Sequence, residues 1–70
     1  MNENELRAEI ARVGLSIPKI ADRIGIGKKA FYSKLSGETQ FNQNEIKQLK
    51  NLLNLSPDRV AEIFFNDNVS

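Results

Sequence analysis

The chain has 70 residues, ten basic against nine acidic for a net charge of +1, and neither cysteine nor histidine. That length predicts a single domain whose thin core buries only about 60% of the unfolded surface, and the lack of cysteine excludes disulfides and a thiolate zinc site as staples. With no histidine, cysteine or phosphate-cradling glycine loop, no enzyme, cofactor or small-molecule ligand is expected; with no long apolar run and a polar, acidic first ten residues, neither a membrane partner nor a secretory signal is expected, and the default location is the cytoplasm.

Apolar residues recur at helical spacing along the whole chain. Leu6, Ile10 and Val13 stand at i, i+4 and i+7 and predict a first helix over 3–13. Ser16 is a good N-cap for a second helix over 17–24, which carries Ile17, Ile20, Ala21 and Ile24. A third helix, 28–36, follows Gly27, a weaker cap, and carries Phe31 and Leu35. Asn42 and Glu45 have capping-box spacing and open a fourth over 43–53, with Ile46, Leu49, Leu52 and Leu53 on one stripe. Ser56 before Pro57 puts a cap and an N1 proline ahead of a fifth, 57–65, with Val60, Ile63 and Phe64.

Apolar pairs bracket the helix starts at the spacing of a hydrophobic staple: Leu15 with Ile20, Ile26 with Phe31, Phe41 with Ile46, and Leu55 with Val60. Gly14, Gly25, Gly27 and Gly37 fall between helices, where a chain reversal or a left-handed residue is wanted. The expected fold is all-α, five short helices with short connections and low contact order. The polar ends, 1–4 and 66–70, are expected to be loose.

The middle of the chain concentrates the positive charge. Residues 16–36 carry Lys19, Arg23, Lys28, Lys29 and Lys34 against Asp22 alone, a net +4, while the remainder is net −3. The same stretch reads as helix, tight turn, helix. The turn Gly25-Ile26-Gly27 is too short for antiparallel helices, so the two must cross steeply, as in a helix-turn-helix. Ala21 is small where the helices approach, and Ile26 fills the angle between them.

The run Gly14-Leu15-Ser16-Ile17-Pro18-Lys19-Ile20-Ala21-Asp22-Arg23-Ile24-Gly25-Ile26 resembles the first half of the lambda-repressor-like helix-turn-helix family. Phe31-Tyr32-Ser33-Lys34-Leu35-Ser36-Gly37 is similar to a pattern of short prophage repressors, and Phe41, Glu45-Ile46 and Leu52-Leu53-Asn54-Leu55-Ser56 extend the likeness over about residues 5–65. The resemblance implies a five-helix DNA-binding domain, a transcriptional regulator of Cro or minimal-repressor type. Such a regulator acts in a bacterial cell or its prophage as a homodimer, formed in solution or only on the DNA, at an inverted-repeat operator of double-stranded DNA. Two positions depart from the family pattern. Lys34 stands where an apolar residue is usual, so Leu35 takes over the packing and the third helix is expected to be turned slightly. Ile17 replaces a glutamine that in several relatives binds a phosphate.

In this motif the second helix of the pair lies in the major groove. With Phe31 and Leu35 inward, Lys28, Lys29, Tyr32 and Ser33 are the expected base contacts: lysine donates to guanine O6 and N7, serine serves several bases, and tyrosine packs on a thymine methyl or bonds a phosphate. Phosphate contacts are expected from helix starts and the following loop, at Ser16, Lys19, Lys34, Thr39, Gln40, Asn42 and Asn44. Phe64, Phe65 and Val69 are the expected dimer interface, because a second aromatic ring near the end of so small a domain is hard to bury internally. At this length there is no room for a separate oligomerisation domain. The competing readings are an antitoxin-type autoregulator with a protein partner, and a protein-interaction module that kept the fold without binding DNA.

Overall fold

In the computed structural model, which describes residues 1–65, the apolar stripes become five α-helices: α1 Glu3–Val13, α2 Ile17–Arg23, α3 Lys28–Leu35, α4 Gln43–Leu52 and α5 Pro57–Phe64. Four starts are capped by a side chain that accepts a hydrogen bond from an amide of the first turn. Ser16 and Ser56 hold the amides of Lys19 and Arg59 at 3.3 and 3.1 Å. Asn42 and Glu45 complete the capping box, with the Glu45 amide donating to Asn42 at 2.8 Å and the Asn42 amide to Glu45 at 3.0 Å. The fourth cap, Asn2, accepts from Glu5 at 3.3 Å, and the Asn2 amide donates to the Ile63 carbonyl at 2.7 Å. The N-terminus is therefore tied to α5, with Met1 packed on the core, and is not the loose end its polarity suggested.

Helices α2 to α5 each end one residue before the expected bound, because that residue is the C-cap. The Gly25 amide turns back to Asp22 at 3.1 Å and the Ile26 amide to Ala21 at 3.0 Å, the paired bonds of a Schellman motif around a left-handed residue. Gly25 supplies that conformation with φ 81°. The same pair closes α3 around Gly37 and α4 around Asn54. Asn54, at φ 56°, is the one left-handed residue other than glycine among those described, and asparagine tolerates that region better than other L-residues. Gly27 does not take the reversal role: it is extended, φ −73°, and serves as the N-cap of α3.

Fourteen apolar side chains form one core, in which Leu6, Ile20, Phe31, Leu35, Leu49, Leu53 and Ile63 are fully buried. Within it α2 packs on α3, and α1 and α4 both pack on α5. Ala21 is buried where α2 meets α3, and Ile26 lies against the core between them. Phe41 links the two halves, its ring 5.4 Å from Phe31 and 5.9 Å from Phe64, both edge-on. Such pairs add about 0.5–1.5 kcal/mol each beyond the area they bury. On the far side Arg59 reaches from α5 to Glu5 and Glu9 on α1, the Glu9 bond being 2.7 Å, and Arg12 donates to the Leu53 carbonyl at 2.6 Å.

The two glycines of the α2–α3 turn should respond differently to substitution. A Cβ at either meets no atom within 4 Å, so only backbone conformation separates them. Gly25→Ala is expected to lower the unfolding free energy by about 1–2 kcal/mol through left-handed strain. Gly27→Ser should leave it unchanged or raise it by about a few tenths of a kcal/mol, as a better cap. Urea denaturation of both variants checks the contrast.

Candidate nucleic-acid interface

Helix α3 is anchored by one face and free on the other. Phe31 and Leu35, four residues apart, are completely buried, while Lys28, Lys29, Ala30 and Tyr32 are exposed and Ser33 is half-buried. Tyr32 stands 41% exposed, one of two large hydrophobic side chains left outside the core among the described residues. Gly27 offers no side chain to the first turn. The leading amides of α3, at the exposed Lys28, Lys29 and Ala30, therefore have no side-chain cap.

The cations of α1 and α5 are neutralised. Arg7, Arg12 and Arg59 pair with Glu3, Glu9, Glu5 and Glu62 along α1 and α5. Lys19, Arg23, Lys28 and Lys29 are exposed and make no ion pair among the described residues; on α4 the exposed Lys47 and the half-buried Lys50 make none either. The uneven charge seen along the chain thus becomes an uneven charge in space, with unpaired positive groups on α2, α3 and α4. Arg23 was not among the expected contacts; its signal was its place in the basic stretch.

The loop after α3 is held at both ends. The Ser33 carbonyl accepts the amides of Glu38 at 2.9 Å and Thr39 at 3.2 Å, and also the Ser36 hydroxyl at 3.1 Å. Beyond Phe41 the capping box fixes the entry to α4. Thr39, Gln40 and Asn44 are exposed along this stretch, and Lys19 is exposed in the first turn of α2. Ser16 and Asn42 are exposed as well, but their oxygens serve as caps, leaving the hydroxyl proton of Ser16 and the amide protons of Asn42 to meet an outside acceptor.

Two expectations change. Lys34 is not a free phosphate donor: its ammonium donates to Glu45 Oε1 at 2.7 Å, with the lysine side chain 17% and the glutamate side chain 9% exposed. Swinging it outward would strand a buried carboxylate. Lys34 is thus accommodated beside the core by a counterion on α4. Phe64 is not an interface residue of the free domain, because it is buried edge-on against Phe41. Phe65, 60% exposed, is the ring left outside, bordering an open groove of about 430 Å³ shared with Met1, Leu35, Gln40, Phe41 and Phe64. Val69 lies outside the described residues.

Comparison of the chain with family models, with characterised proteins and with solved structures gave no match. The functional reading therefore rests on the residues and their geometry.

Burial pushes the Glu45 carboxyl up, but the Lys34 ammonium and the Asn42 amide outweigh it and hold the group below its ordinary value of 4.5. Hydrogen bonds from Arg59 and Arg12 hold Glu9 below the same value. Both groups are more acidic folded than unfolded, so their stabilisation is complete above the unfolded value and fades as pH falls through the lower folded ones. The urea midpoint should hold steady near neutrality and drop below about pH 4.5, with a shallower drop in Glu45→Gln. Lys34→Met, which leaves Glu45 buried without its counterion, should cost about 1–3 kcal/mol at neutral pH. Equilibrium unfolding measures both.

Proposed function

We propose that the chain is a sequence-specific, double-stranded DNA-binding transcriptional regulator of the lambda-repressor-like helix-turn-helix type, which presents α3 to the major groove. The observation that carries this reading is the division of α3 itself: Phe31 and Leu35 root it in the core, while Lys29 and Tyr32 stand exposed away from that face and Lys28 is exposed at the first turn. A helix held this way can enter a groove about 12 Å wide without unfolding anything beneath it. Lys28 and Lys29 suit guanine edges, Tyr32 a thymine methyl or a phosphate, and Ser33 a nearby base. Uncapped amides at the start of α3, Lys19 on α2, and Thr39, Gln40 and Asn44 beyond α3 suit phosphates on either side. Arg23 joins them as an unpaired cation on α2.

A homodimer on an inverted repeat fits the dimensions. The body measures 31 × 24 × 21 Å, a size comparable to the roughly 34 Å that separates half-sites one duplex turn apart. Phe65 is the exposed apolar contact such a pair would use. As a regulator of this kind the protein works where the DNA is, in the bacterial cytoplasm, under host or prophage control.

Phosphate contacts release counterions, so affinity for a duplex should fall steeply with salt, by about a hundredfold or more between about 50 and 200 mM. Fluorescence anisotropy with a labelled duplex recovered from a random pool reads this directly. Lys29→Ala should weaken that duplex by about 1–3 kcal/mol with an unchanged melting curve. A chain that ignores all duplexes at low ionic strength would favour the protein-interaction module instead.

A further inference from the structure

The Lys34–Glu45 pair lies behind the exposed face of α3, and its geometry ties together two segments that the functional reading needs in register. A single carboxylate oxygen, Oε1 of Glu45, accepts both the Lys34 ammonium at 2.7 Å and the Asn42 amide at 3.0 Å. The first bond holds the last turn of α3. The second holds the exit of the loop that carries Thr39 and Gln40. The start of that loop is already fixed to α3 by the bonds onto the Ser33 and Lys34 carbonyls. The loop and the C-terminal half of α3 therefore share one fastening on α4.

The apolar anchors cannot supply this registration alone. Burial of Phe31 and Leu35 is non-directional and tolerates small rotations of the helix about its axis. A hydrogen-bonded ion pair in a largely dry site is directional, and breaking it strands a charge. Lys34 follows Ser33 directly and lies two residues beyond Tyr32, so a rotation that parts it from Glu45 displaces the outward residues by the same angle.

We propose that Lys34 and Glu45 are positioning residues for DNA binding: their ion pair sets the angular placement of α3 and the seating of the loop after it, and neither side chain touches the duplex. This rests on the DNA-binding reading above. It assigns Lys34 a role opposite to that of a phosphate contact, and the two roles separate experimentally. A phosphate contact contributes to the salt dependence of binding, whereas a positioning residue changes affinity at constant salt dependence.

The test measures anisotropy titrations over a salt series for the wild-type chain, Glu45→Gln, Lys34→Met and the double variant, on the duplex that the wild-type chain selects from a random pool. Circular dichroism at the assay temperature establishes that each is folded. Glu45→Gln keeps an oxygen for the Asn42 amide and frees Lys34. Each single variant should bind about three- to thirtyfold more weakly with the wild-type salt slope, and the double variant should be no weaker than the worse single one. Should a single variant melt below the assay temperature, the double variant, which buries no unpaired charge, answers the same question. A slope lowered by about one per subunit on loss of Lys34, affinities equal to wild type, or tighter binding by Glu45→Gln would overturn the assignment while leaving DNA binding intact. A wild-type chain that selects no duplex would remove both.

Discussion

Burial of Phe31 and Leu35 is the constraint on which the rest of the molecule turns. Both side chains are wholly removed from solvent, and together they fix which side of an eight-residue helix faces out. A helix this short is not stable in isolation. It exists because α2, Phe41 and the core hold one of its faces. Ala21 and Ile26 set the approach to α2, Gly25 reverses the chain between them, and the Phe31–Phe41–Phe64 relay carries the anchorage through to α5. What is left outside, two lysines and a tyrosine, is outside because the other face is committed.

Electrostatics divides the helices into two sets. Along α1 and α5 the arginines are locked to glutamates, and Arg59 alone bridges three of them. That network joins the first helix to the last. Around α2, α3 and α4 the exposed cations are unpaired, and the single lysine that is paired, Lys34, is the one turned inward. A polyanion approaching α2, α3 or α4 meets unpaired positive charge, whereas along α1 and α5 it meets satisfied pairs. The division supports DNA binding better than the overall charge of +1 does.

Much of the fold was legible in the chain. Helix starts were clear because Ser16, Asn42 and Ser56 carry a local chemistry, side chain to amide three residues on, that needs no knowledge of the rest. Helix ends were less so: Asn54 takes a left-handed conformation usually given to glycine, while Gly27 does not. Of the candidate interface, the exposed positions of α3 followed from helical spacing once Phe31 and Leu35 were taken as core. The pairing of Lys34 is not legible in the sequence, because its partner lies eleven residues away across a loop and no local rule brings α4 to it. Phe64 and Phe65 are adjacent and identical, and only the packing around Phe41 decides which of them is buried.

The central claim is that the outward side of α3 is the surface that meets a duplex. Amide chemical-shift mapping on addition of double-stranded DNA at low ionic strength tests it most directly, because every helix reports at once. The account predicts that the perturbed amides cluster at Lys28, Lys29, Tyr32, Ser33 and the loop through Asn44, with α1 and the outer face of α5 unmoved. A spectrum that does not change, or changes centred on α1 and Arg59, would contradict it.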